Sequence, residues 1–172
     1  MTPLPWALSA LAVWRLEREK HFATWRTGEG ALRVGGRWSP AGRPAIYTSL
    51  DPATAILEVA VHKGFDILDT DPHRLLQLEI KDPPSAIKVV RPEDVPNPNW
   101  LRPGTLSPNQ QAFGDALLQA YGLVIFPSAV STHSWNLVID VVAGAGRFEL
   151  ASEERFALDT RLAARPTGPK AA

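Results

Sequence analysis

The chain has 172 residues, 45% of them apolar and 21% charged, and its 18 basic side chains balance its 18 acidic ones. This is ordinary globular composition for one domain that can bury a core without staples, and zero net charge argues against bulk nucleic-acid binding through phosphates. The absence of cysteine excludes a disulfide framework, a thiolate metal site and a cysteine nucleophile.

Such a composition fits the cytoplasm. The apolar run from Leu4 to Trp14 is too short to span a bilayer, and no basic residue precedes it, as one would in a signal peptide. The four histidines, at 21, 62, 73 and 133, show no ligand spacing, so no metal site is expected. Sixteen prolines predict several loops and short elements.

Along the chain, AVWRL at 12–16 reads as a short strand and 20–34 as loop. RPAIYTS at 43–49 reads as a strand after a turn at Gly42. The segment DPATAILEVAVHKG predicts a helix: Asp51 is the N-cap, Pro52 the first helical residue and Gly64 the C-terminal cap. Strands are predicted at 73–81 and 86–90, with a long loop over 91–106. Ser107, Pro108 and Gln110 form a capping-box pattern that opens a second helix, closed by Gly122. Further strands are predicted at 123–128 and 135–142, and a short one at 147–150. No internal repeat is present. The strands are short and grouped, which predicts an α+β domain without regular βαβ alternation. The domain is expected over 1–163, with a disordered tail at 164–172.

Glu58 is the residue that most needs a reason. Between 53 and 61 the only other polar side chain is Thr54. A carboxylate on so apolar a helix is partly desolvated, and needs a partner or a task. One reading is a structural ion pair with Arg37. The other is chemistry. Arg37 stands in GGRWS, where glycines permit close approach to the backbone and a guanidinium can clamp a phosphate or carboxylate; the alternative is a solvated arginine on a surface turn. Tyr47 is either a core tyrosine or part of a cleft shared with Glu58. Ser128 ends an apolar strand, where serine is usually a turn residue. His133 and Asp140 would complete a Ser-His-Asp set, but FPSAV is no nucleophile elbow. No Walker loop and no strand–GxGxxG–helix unit occurs. The six tryptophans are scattered, which favours core packing over a stacking surface.

Taken in order, GGRWSPAGRPAIYTSLDPATAILE resembles the signature of RES-domain proteins, the toxins of bacterial RES–Xre toxin–antitoxin modules. Gly36-Arg37-Trp38, Gly42, Tyr47 and Ala55 to Glu58 match its first block. Ser128 in LVIFPSAV matches the family serine, and Asn136 in WNLVI a downstream asparagine. Residues 12 to 142 carry the resemblance. One departure is Asp140-Val141, where family members often have Asn-Pro.

The resemblance implies a compact ADP-ribosyltransferase-like α+β fold with two small mixed or antiparallel sheets around an NAD cleft. It implies an enzyme that consumes NAD+ by cleaving the nicotinamide–ribose bond, with ADP-ribose passed to water, phosphate or a protein. NAD+ is then the substrate, with no further cofactor and no metal. Glu58, Arg37 and Tyr47 are expected to be catalytic, and Arg37, Tyr47, Ser128 and Asn136 to bind NAD+. An Xre-type antitoxin is the expected partner, within a complex in which the toxin is a homodimer, and neither DNA nor membrane is contacted directly. The alternative from another class is a non-catalytic nucleotide- or protein-binding module whose Arg37–Glu58 pair is structural.

Overall fold

The computed structural model describes residues 10–102 and 106–159, with the backbone alone at 65 and 66. The tail expected at 164–172 lies outside the described residues.

Among the described residues, seven strands form one sheet. They are β1 (Leu11–Arg18), β2 (Ala45–Ser49), β3 (His73–Ile80), β4 (Lys88–Val89), β5 (Leu123–Pro127), β6 (Trp135–Asp140) and β7 (Phe148–Phe156). Their order is β4-β5-β6-β2-β1-β3-β7. All neighbours are antiparallel except β4 and β5. The helices are α1 (Glu29–Val34), α2 (Pro52–Lys63), α3 (Phe65–Thr70) and α4 (Pro108–Tyr121).

The sheet has a seam. β1 pairs with β3 along its whole length, and β2 pairs with β6 along its whole length. β1 and β2 meet at a single register pair, Trp14 with Ser49. The expected two small sheets are therefore two halves of one sheet, joined at one point. Beyond that pair the strands separate, and a side chain bridges the gap: the Arg15 guanidinium donates to the Tyr47 carbonyl at 2.9 Å. Arg15 is itself held by Glu17 through its Nε at 2.8 Å and its Nη2 at 2.6 Å.

The two long helices start and stop where their capping residues predict. The Asp51 carboxylate accepts from the Thr54 amide and hydroxyl, each at 2.7 Å, and α2 ends at Gly64 with φ 83°. Ser107 accepts from the Gln110 amide, and α4 ends at Gly122 with φ 73°. The capping box at α4 is only half formed. The Gln110 side chain accepts from Asn97 Nδ2 at 3.0 Å and donates to the Arg37 carbonyl at 3.5 Å; it does not return to the Ser107 amide.

Residues 20–34 are not loop. A 3-10 helix covers Glu19–Thr27, and α1 follows between Gly28 and Gly35, whose φ of 66° and 72° turn the chain at each end. β7 runs nine residues rather than four, and β4 only two rather than five. α3 is an additional short helix.

Alternation along the strands sorts the two faces. Ile46, Ile125, Leu137 and Ile139 belong to one core, which includes Trp25. Ala45, Val124, Phe126 and Val138 face the other way and pack with Leu118 of α4 and with Trp38. Trp14 and Leu16 pack with Ala60 of α2. α2 and α4 thus cover one face on either side of the seam. Between them, parity along β2 and β6 places Tyr47, Ser49 and Asn136.

Candidate active site

α2 carries Glu58 to the polar strip between the two helices. Asn136 Nδ2 donates to Glu58 Oε1 at 2.5 Å, and the Ser128 hydroxyl donates to the same oxygen at 3.2 Å. Asn136 is buried on β6, and Ser128 is buried just past the end of β5. The other oxygen, Oε2, lies 3.9 Å from His62 Nε2, one helical turn on. Glu58 keeps 24% of its side chain exposed, so the carboxylate is fixed at one oxygen and open at the other.

Ser128 is locked by its own turn. Its Oγ accepts from the Val130 amide at 3.2 Å and the Ser131 amide at 3.1 Å. His133 is exposed, and Asp140 accepts from Arg43 and from the amides of Val142 and Ala143. Neither serves Ser128, so no Ser-His-Asp set forms.

Arg37 sits on a tight turn in which the Gly36 amide donates to the Ser39 carbonyl at 2.8 Å. Three elements hold that turn. Tyr47 Oη accepts from the Trp38 amide at 3.2 Å and shares a hydrogen bond with Ser39 Oγ at 2.9 Å. Gln111 of α4 donates to the carbonyls of Gly36 and Ser39 at 2.8 and 3.2 Å. Trp38 stacks on Phe126, with ring centroids 4.3 Å apart. A Cβ on Gly36 would lie 2.4 Å from Tyr47 Oη, so the space this glycine leaves is taken by Tyr47 and not by a ligand. Likewise, a Cβ on Gly114 would lie 2.2 Å from the Trp38 carbonyl oxygen, which is why α4 carries a glycine there.

The Arg37 guanidinium donates to the Trp100 carbonyl and forms no salt bridge with Glu58. Burial lowers its pKa, while the nearby negative charge of Glu58 acts the other way. The two residues therefore face one strip without being paired. Burial pushes the Tyr47 hydroxyl up to about 12, so it stays protonated at neutral pH.

The structure thus brings Glu58, Ser128 and Asn136 into direct contact, and holds Arg37 and Tyr47 together on a neighbouring turn. Three contributors carry no site reading in the sequence, Ser49, Arg15 and Gln111, and Gln110 reads as a cap alone. Ser49 shares the parity of Tyr47 on β2, and Arg15 is the one charged residue in AVWRL, so both left a signal. Gln110 reads only as a helix-opening residue, and the Arg37 and Gly36 carbonyls that Gln110 and Gln111 meet lie more than 70 positions away. Among the described residues, no group of three or more His, Asp or Glu side chains is placed to hold a metal ion. No helix among them is long and apolar enough to cross a membrane.

Residues 12–159 match the RES domain family. Toxin Res of Photorhabdus laumondii subsp. laumondii is 31% identical over 156 residues, covering 88% of this chain and 97% of its own length. Toxin Res of Pseudomonas putida is 30% identical over 139 residues, covering 79% and 91%. The fold is also like that of a chain in the crystal structure of the M. tuberculosis MbcT–MbcA toxin–antitoxin complex. There the TM-score is 0.67 at 22% identity, with 86% of this chain and 85% of that chain covered. This last likeness bears on the fold alone, and it agrees with the expected α+β class.

Proposed function

We propose that this chain, which belongs to the RES-domain family, is the toxin of a toxin–antitoxin pair and acts by cleaving the nicotinamide–ribose bond of NAD+. The observation that carries the reading is the state of Glu58: both of its donors, Asn136 and Ser128, fall on one carboxylate oxygen, and Arg37, which feels its charge, donates to the Trp100 carbonyl rather than to it.

Breaking the C1′–N bond sends its electron pair to nicotinamide and leaves positive charge on the ribose. A fixed carboxylate beside that charge stabilises it without reorganising. Glu58 Oε2 takes the ribose 2′-hydroxyl in this reading. Arg37 leaves the Trp100 carbonyl for the pyrophosphate, which offers its guanidinium a charged acceptor in place of a neutral one. Tyr47 supplies a ring face to the nicotinamide end, while its hydroxyl keeps the Arg37 turn in place. The donors of Ser128 and Asn136 are directed at Glu58, so both are assigned to the carboxylate rather than to the substrate. Water then attacks C1′ and loses a proton to solvent, giving ADP-ribose; phosphate or a protein side chain in place of water gives the transferase outcome. Neither metal nor further cofactor takes part.

An enzyme that drains NAD+ harms its own cell unless restrained. We assign the restraint to an Xre-type antitoxin that covers the strip between α2 and α4 and contacts DNA on the toxin's behalf, in a complex containing a toxin homodimer.

The test is to incubate the purified chain with NAD+, quantify free nicotinamide, and weigh the ribosyl product with and without phosphate. Release of nicotinamide with ADP-ribose or its phosphate ester supports the reading. Intact NAD+ after prolonged incubation with folded protein contradicts it.

A further inference from the structure

Glu58 as a carboxylate can only accept hydrogen bonds. The end of the Asn136 amide that meets it must therefore be the nitrogen. The amide oxygen then points the other way, to Ser49 Oγ at 2.8 Å, and Ser49 must be the donor. Ser49 and Asn136 are register partners on β2 and β6, 2% and 8% exposed, so water has little access to take over either role. Ser128 is constrained in the same sense. Two backbone amides point at its oxygen, which directs its own proton to Glu58. Each hydrogen bond in the chain Ser49→Asn136→Glu58←Ser128 thus has one direction.

We propose that Ser49 is a positioning residue: its hydroxyl fixes the Asn136 amide with the nitrogen toward Glu58, and so leaves Glu58 Oε2 open for the substrate. The assignment rests on the NAD+-cleaving reading for its consequence, though not for its geometry. Without the Ser49 proton, the amide oxygen is buried without a donor, and rotation of the amide relieves that at the expense of the bond to Glu58. Glu58 Oε1 is then held by Ser128 alone, and the carboxylate is less firmly oriented. Ser49 is also the residue through which β2 meets β1. That contact is made by the backbone, and removing the hydroxyl leaves it intact.

The experiment is a mutant cycle with NAD+ as substrate. Ser49→Ala should lower kcat about tenfold, the scale of one buried hydrogen bond, with KM nearly unchanged. Asn136→Ala should lose at least as much, and Ser49→Ala should cost nothing further in the Asn136→Ala background. Ser49→Thr keeps the hydroxyl and should stay close to wild type. A Ser49→Ala enzyme at wild-type kcat, a loss that multiplies onto Asn136→Ala, or a threonine variant as impaired as alanine would overturn the assignment. A second readout needs no substrate. The side-chain amide protons of Asn136, followed by NMR, should exchange with solvent faster in Ser49→Ala than in wild type. Unchanged exchange sinks the assignment even in an active enzyme. Faster exchange in a protein that releases no nicotinamide upholds it and removes the NAD+ reading instead.

Discussion

Asn136 Nδ2 lies 2.5 Å from Glu58 Oε1, joining a residue of β6 to one of α2 across 78 positions of sequence. The amide donates what the carboxylate needs without adding charge. Aspartate has almost the same shape and none of the donors. Asn136→Asp places two carboxylates in contact, which raises the pKa of one of them and makes them repel once both are ionised. We predict that nicotinamide release by Asn136→Asp falls below that of Asn136→Ala at pH 8. It should recover relative to wild type as pH falls, because protonation of one member restores a donor. A pH–rate profile of the two variants checks this; parallel profiles would show that the contact carries no electrostatic weight.

Arg37 binds a backbone carbonyl, not Glu58. Its removal breaks no ion pair, so Arg37→Ala should raise KM for NAD+ at least about tenfold while leaving the melting temperature nearly unchanged. Arg37→Lys should recover part of the loss, since an ammonium lacks the planar fork. Thermal melts and NAD+ titrations together decide the point. A large drop in melting temperature with intact NAD+ affinity would return Arg37 to a structural role.

Gly36 and Tyr47 are in contact so close that a methyl group cannot enter. Gly36→Ala should destabilise by about 1–3 kcal/mol, the usual range for overpacking. Gly36→Ala/Tyr47→Phe removes the nearest atom of the clash but leaves the ring carbon Cζ 2.6 Å from the added Cβ, so it should regain only a small part of that loss. The comparison is made by denaturant unfolding of the two variants and wild type. A double variant less stable than Gly36→Ala would show that the Tyr47 hydroxyl matters more to the turn than the clash does.

Asp140 is 1% exposed and serves Arg43 and two backbone amides at the far end of β6. Asp140→Ala removes one of the two carboxylates that hold Arg43, which keeps Asp115, and leaves the amides of Val142 and Ala143 without their acceptor, a change that should cost about 1–3 kcal/mol. Asp140 makes no hydrogen bond to Glu58, Ser128 or Asn136, so activity per folded molecule should hold at low temperature. Unfolding curves and active-fraction kinetics separate the two effects.

Much of the scaffold was legible because its signals are local. Asp51, Pro52 and Gly64 mark α2 residue by residue, and an isolated carboxylate on that helix marks Glu58. Ser107, Pro108 and Gly122 do the same for α4. The helices within 19–34 were not legible: their segments are short and mixed in character, and α1 depends on the positive φ of Gly28 and Gly35. β7 is mostly exposed and owes its nine residues to pairing with β3, a tertiary effect. The resemblance to the RES signature implied that Arg37, Tyr47, Glu58, Ser128 and Asn136 share one cleft. Which of them touch one another depended on register between β2 and β6 and on the turn that Tyr47 holds. The seam between β1 and β2 has no signature in either strand.

The central claim is that Glu58 stabilises positive charge on a ribose. Glu58→Gln keeps the size, removes the charge, and can be verified as folded by its melting temperature. Nicotinamide release from NAD+ by this variant, measured beside wild type under saturating substrate, is the most direct test. The account predicts a fall in kcat of at least about 10²-fold, the scale for removing one electrostatic stabiliser. A folded Glu58→Gln protein that releases nicotinamide at the wild-type rate would contradict it.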